Sequence, residues 1–201
     1  MSPGLPPLLD RVPPDKRDKL KAVVDKAGVP LASLDRLETW AAALQLASAG
    51  LARTTATTEA GAEAQLSGRF RAAGKPVTGL ETPIEQLGYF DTLPEAAQRR
   101  FLTAIADDDA DAQTQFDAMI AAWSAGDIAK IAVTFDEELR LSPELADALI
   151  RRRNANWAAW IARRMATPGT VFVAVGAGHL AGAGSVDALL EVQGLKVTRL
   201  Q

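Results

Sequence analysis

Between residues 15 and 165 apolar positions recur mostly three and four apart, the spacing of one helix face. The stretch PPDKRDKLKAVVDKAGVP predicts a helix with Leu20, Val23 and Val24 as its stripe, Asp15 as cap, and Gly28 with Pro30 as its end. Ser33 opens a second helix, with Leu34, Leu37, Trp40, Ala41, Leu44, Leu46 and Ala47 near the 3.6 period, running to about Leu51. RTTATTEAG reads as a loop before a helix over 62–73, which Gly74 stops. From Pro83 to Met165 nearly everything reads as helix, with Pro94 and Pro143 suited to first turns and Ser142 as an N-cap.

The pattern changes in two places. Lys75 to Glu81 fits a short strand with Glu81 at its C-terminal tip. Thr170 to Val175 is a continuous apolar, β-branched run, the pattern of a strand buried on both faces. Ser185 to Val192 reads as a short helix ended by Gly194, and Leu195 to Leu200 as another strand. That order is a βαβ unit, with parallel strands and a right-handed crossover, and the 77–81 segment is its obvious third strand. The expected class is therefore α/β, α+β by content: a small, mostly parallel sheet with a large helical insertion over 83–166, in one domain spanning 1–201.

Residues 1–14 carry five prolines and read as an extended lead-in. Composition narrows the chemistry. The chain of 201 residues is 48% hydrophobic and 23% charged, as a folded globular protein is. Its formal charge is −3 and no basic block follows a phosphate backbone, which argues against nucleic acid as a partner. With no cysteine, thiol catalysis, disulfides and Cys-rich zinc sites are excluded; with one histidine, so is a multi-histidine metal site within one chain. The start lacks a signal-peptide pattern and no run of about 18 apolar residues occurs, so the sequence as written reads as cytoplasmic.

The single histidine, His179, stands in VFVAVGAGHLAG, just after the apolar run. Ligands of α/β sheets meet the carboxyl ends of strands, where both Glu81 and this turn are expected, so the two would face each other. Gly176 and Gly178 would permit positive φ or a close backbone approach, and a helix starting near Ser185 would offer N–H groups to an anion. The same histidine also reads as a turn residue satisfied by backbone. Glu81 equally reads as a carboxylate near the N-terminus of the helix beginning at Pro83. A dinucleotide site would need a third glycine and a ribose-binding acid about 20 residues on, and the sequence has neither. Ile150, Asn154, Trp157, Ile161 and Met165 form one inward stripe, so Asn154 is a buried amide that needs partners. Arg153 is placed to stack on Trp157 or Trp160, or else to point to solvent. The acidic run Asp107 to Asp111 is most simply a solvated helix junction, without the glycine and glutamate of a calcium loop.

Taken together, Gly74-Lys75-Pro76-Val77, Gly79-Leu80-Glu81-Thr82 with Glu85-Gln86, Trp123-x-x-Gly126-Asp127, Arg153-Asn154 with Trp157, VFVAVGAGHLAG and Gly194-x-x-Val197 resemble the TraB/GumN family, related to the Tiki proteins and more distantly to erythromycin-esterase-like and ChaN-like proteins. The resemblance runs from about Leu34 to the C-terminus. It implies an α/β domain with a helical insertion and, from the Tiki branch, metal-dependent peptidase chemistry. Gly176 and His179 match the second of two family Gly-x-x-His motifs, Glu81 the family glutamate, and Arg153 with Asn154 an arginine-asparagine pair. The roles implied are His179 as metal ligand or acid–base group, Glu81 as ligand or general base, and Arg153 and Asn154 as supporting groups; the glycine turn itself makes Gly176 and Gly178 the candidates for backbone beside a bound group.

Family members begin with a strand ending in a first Gly-x-x-His, which this sequence lacks, so it is expected to be N-terminally truncated relative to them. Full-length relatives are often exported or membrane-associated. The function expected is a metal-dependent hydrolase of amide or ester bonds in a small-molecule or peptide substrate, with Zn, Mn or Co as the divalent metal, inactive alone if half the site is missing. The alternative is a non-catalytic binding or interaction module that retains the second half-site. An uncovered sheet edge would further favour a homodimer.

Overall fold

The computed structural model describes residues 4–55, 61–107, 112–132 and 142–200, and the chain divides into two compact units, Met1–Phe116 and Asp117–Gln201.

The first unit is built by helices. After 3-10 turns at Leu8–Arg11 and Pro14–Lys16 come α1 (Arg17–Ala27), a single turn α2 (Leu31–Leu34), α3 (Thr39–Leu51), α4 (Ala62–Ala72), α5 (Pro83–Asp91) and α6 (Glu95–Asp107); α7 (Ala112–Ser124) crosses into the second unit. The predicted helix around Leu20 forms, and Gly28 ends it at φ +68 in the left-handed region that glycine tolerates best. The helix predicted from Ser33 to Leu51 is instead broken at 35–38. Leu20 and Val24 of α1, Ala42, Ala43 and Leu46 of α3, and Leu102 and Ala106 of α6 close one core together with Leu8, Val12 and Leu34. Each fully buried leucine here contributes roughly 1.5–3 kcal/mol.

The proline-rich start is not the extended lead-in predicted for it. Leu8 and Val12 are core residues, and Arg11 is buried between them. Its Nε donates to Pro6 O at 2.8 Å, Nη1 to Leu37 O at 2.7 Å and Nη2 to Asp35 O at 2.9 Å. The same guanidinium therefore fastens the N-terminal turns to the 35–38 break. Burial pushes its pKa down from the ordinary arginine value, against the opposing charges of Glu95 and Asp35.

In the second unit a helical turn at Pro143–Ala146 passes through a π-helical turn, Asp147–Arg151, into α8 (Arg152–Met165); α9 (Val186–Val192) packs on α8. Ser142 caps the lead-in as predicted, its Oγ accepting from Leu145 N at 3.3 Å.

The α/β expectation is overturned: no strand forms among the described residues, and the elements are helical. The apolar run at 171–175 has no regular secondary structure and alternate residues are exposed, Phe172 to 58%, so it is not buried on both faces. Residues 195–200 likewise form no strand. An extended backbone becomes a strand only when a neighbour supplies its hydrogen bonds, and that neighbour is not in the local sequence pattern. The 77–81 segment forms no strand and folds back on itself, so that the Cβ position of Gly79 lies only 2.6 Å from Glu81 O, a closeness only glycine accommodates. Without a sheet among the described residues, the sheet edge expected to pair two copies has no basis there.

No helix among the described residues is long and apolar enough to cross a membrane. The acidic run beyond Asp107 and the helix predicted through FDEEL lie, from 108 to 111 and from 133 to 141, outside the described residues.

Candidate functional site

The second unit brings three of the predicted residues together. Asn154 and Trp157 stand on the buried side of α8, Asn154 with no exposed surface. Met165, predicted on the same stripe, is 58% exposed at the end of the helix. A π-helical turn immediately precedes this segment; such turns shift the angular register of the helix beyond them and recur near functional sites.

Asn154 Nδ2 donates to Gly184 O at 2.7 Å, and its Oδ1 lies 2.6 Å from His179 Nδ1. The imidazole, 8% exposed, also rests against the Trp157 ring, with centroids 4.5 Å apart and planes tilted by 51°. On Trp157 the Arg153 guanidinium carbon lies 4.7 Å from the ring centroid, while Arg153 Nη1 donates to Leu149 O at 3.2 Å. The buried Trp157 Nε1 has no acceptor among the described residues. A buried unpaired donor costs about 1–3 kcal/mol, so this indole is held by packing rather than by hydrogen bonding.

His179 itself sits on a 3-10 turn, Ala177–Leu180, closed by its N–H donating to Gly176 O at 2.9 Å. Gly176 has φ −58, and neither it nor Gly178 adopts the positive φ that the glycine-rich turn suggested. The left-handed glycine of this loop is Gly182, at φ +81. A Cβ on Gly176 would meet His179 Cδ2 at 3.7 Å, an ordinary contact. At the start of α9 the Ser185 Oγ accepts from Ala188 N at 3.2 Å, so this helix N-terminus already caps one of its own donors.

Glu81 belongs to the first unit, partly exposed, with its Oε2 accepting from Gln86 Nε2 at 3.4 Å. The acid that serves the next helix, α5, is Glu85. Thr82 Oγ1 accepts from Glu85 N at 3.2 Å, and Glu85 Oε2 accepts from Thr82 N at 2.7 Å, a reciprocal capping box. The Thr82 N–H first, and then the Thr82 hydroxyl donating to the same Oε2 at 2.8 Å, hold the Glu85 carboxyl below its ordinary pKa. The Thr-x-x-Glu spacing just before α5 carries this signal in the sequence. Gly184 O, by contrast, is a main-chain group that no side-chain pattern announces.

A catalytic zinc usually takes three protein ligands. No group of three or more His, Asp or Glu side chains gathers among the described residues, so they do not by themselves form the ligand set the resemblance implies.

Compared with known proteins, the chain matches no curated protein and no solved structure. The family model of the TraB/PrgY/gumN family matches residues 1–199. With nearly its whole length matched, the chain belongs to the TraB/PrgY/gumN family.

Proposed function

We propose that this chain takes part in hydrolysis of an amide or ester bond in a small-molecule or peptide substrate, with the His179 imidazole as the group that does the chemistry. The observation behind this reading is the buried Asn154–His179 pair, braced by Trp157. A histidine that serves only as a turn residue needs no dedicated amide from another helix. An imidazole so held suits two tasks, moving a proton to or from the reacting group or supplying one nitrogen to a divalent metal such as Zn, Mn or Co. In the second case His179 supplies one ligand of a set that the described residues do not gather by themselves. Arg153 and Trp157 support the ring. Glu81 enters as ligand or general base through the family motif alone.

The test measures uptake of Zn²⁺, Mn²⁺ and Co²⁺ by the purified full chain, and its hydrolysis of peptide and ester libraries, beside the His179→Ala variant. Hydrolysis that falls at least 100-fold in the variant, the usual order for a lost acid–base group, supports the reading. Substoichiometric metal together with hydrolysis unchanged by His179→Ala sinks it and leaves a non-catalytic binding module.

A further inference from the structure

The two hydrogen bonds of Asn154 decide which nitrogen of His179 carries the proton in the neutral ring. The Gly184 carbonyl oxygen only accepts, so the amide group facing it must be the Nδ2 donor. That fixes Oδ1 toward the imidazole, and an oxygen of an amide also only accepts. At 2.6 Å, with both side chains buried, two facing lone pairs would be strongly repulsive, so Nδ1 carries the proton.

We propose that Asn154 is a positioning residue that, anchored by Gly184 O, holds the His179 proton on Nδ1 and so leaves the lone pair of the neutral ring on Nε2. Nδ1 is thereby excluded as base and as ligand. Trp157, packed against the ring at a tilt of 51°, restrains the rotation about χ2 that would undo the arrangement. This deepens the hydrolase reading above and rests on it for its consequence, but the tautomer itself is measurable without any substrate.

Because His179 is the only histidine in the chain, ¹⁵N-labelled histidine gives a spectrum of this one ring. Long-range ¹H–¹⁵N correlations, taken where the imidazole is neutral, identify which nitrogen is protonated. In the unaltered protein the Nδ1–H form should exceed the Nε2–H form by about tenfold, the scale of one buried hydrogen bond. Asn154→Ala should erase that excess, and Asn154→Asp, which keeps an acceptor beside Nδ1, should retain it. An unaltered protein in the Nε2–H form overturns the proposal, as does a folded Asn154→Ala variant with an unchanged ratio. If Asn154→Ala fails to fold, the unaltered chain and Asn154→Asp still decide. Should the tautomer be as stated while hydrolysis and metal uptake are absent, the positioning role stands and the hydrolase reading falls.

Discussion

Each unit of this protein buries a polar side chain that bridges distant parts of the chain, Arg11 in the first and Asn154 in the second. In the first, Arg11 directs its donors to three main-chain carbonyls, Pro6 O, Leu37 O and Asp35 O. In the second, Asn154 uses one hydrogen bond to anchor itself to main chain and the other to orient an ionisable ring. A buried cation on backbone carbonyls fixes chain path. A buried amide between a carbonyl and an imidazole orients the ring, which on the reading proposed above serves chemistry rather than folding.

The sharpest way to break that contrast is to remove each device. Arg11→Met keeps the apolar stem but leaves three carbonyls without their donor, and should cost on the order of 3–5 kcal/mol, read as a lower urea midpoint. His179→Ala leaves Asn154 Oδ1 unpaired and a gap beside Trp157, and should cost about 2 kcal/mol. If the contrast holds, Arg11→Met is the larger loss. A reversed order would make His179 a structural residue first, and would weaken its assignment as the reacting group.

A smaller effect separates conformation from contact at the glycine-rich turn. Gly176 has an ordinary negative φ and room for a Cβ, so Gly176→Ala should change thermal stability by no more than about 1 kcal/mol, with the lower entropy of the unfolded chain favouring the variant. Gly182→Ala, at φ +81, should be the more costly of the two. Equal costs would show that the turn needs glycine at Gly176 for a reason the backbone does not display.

How much of this could be read in the sequence depends on how far each residue's partners lie. The α1 stripe of Leu20 and Val24 is legible because a helix makes its own hydrogen bonds and its buried face repeats at a fixed period. Asn154 is legible as an inward amide for the same reason, but Gly184 O, 30 positions away, is not. The 171–175 run misleads, because a strand depends on a partner that its own residues do not specify. The proline-rich start misleads in the opposite sense: prolines do exclude a regular helix, yet Arg11 is buried by carbonyls 24 and 26 positions along. Burial of a charge on distant main chain has no local signature.

The smallest predicted effect sets one carboxylate of each unit against the other. Glu85 in the first unit has a folded pKa below its ordinary value, because Thr82 donates to its ionised form. Unfolding in that range takes up a proton, so the stabilisation is present above the unfolded pKa and lost as pH falls through the folded one. Asp187 in the second unit has its pKa raised, first by burial and then by the charge of Glu191. There unfolding releases a proton, so acidification through the folded pKa toward the unfolded one favours the native state. Glu85→Gln should therefore flatten a downward acid limb seen by amide exchange in α5, and Asp187→Asn an upward one in α9. Slopes of the same sign in the two helices would show that the carboxylates do not differ as their surroundings dictate.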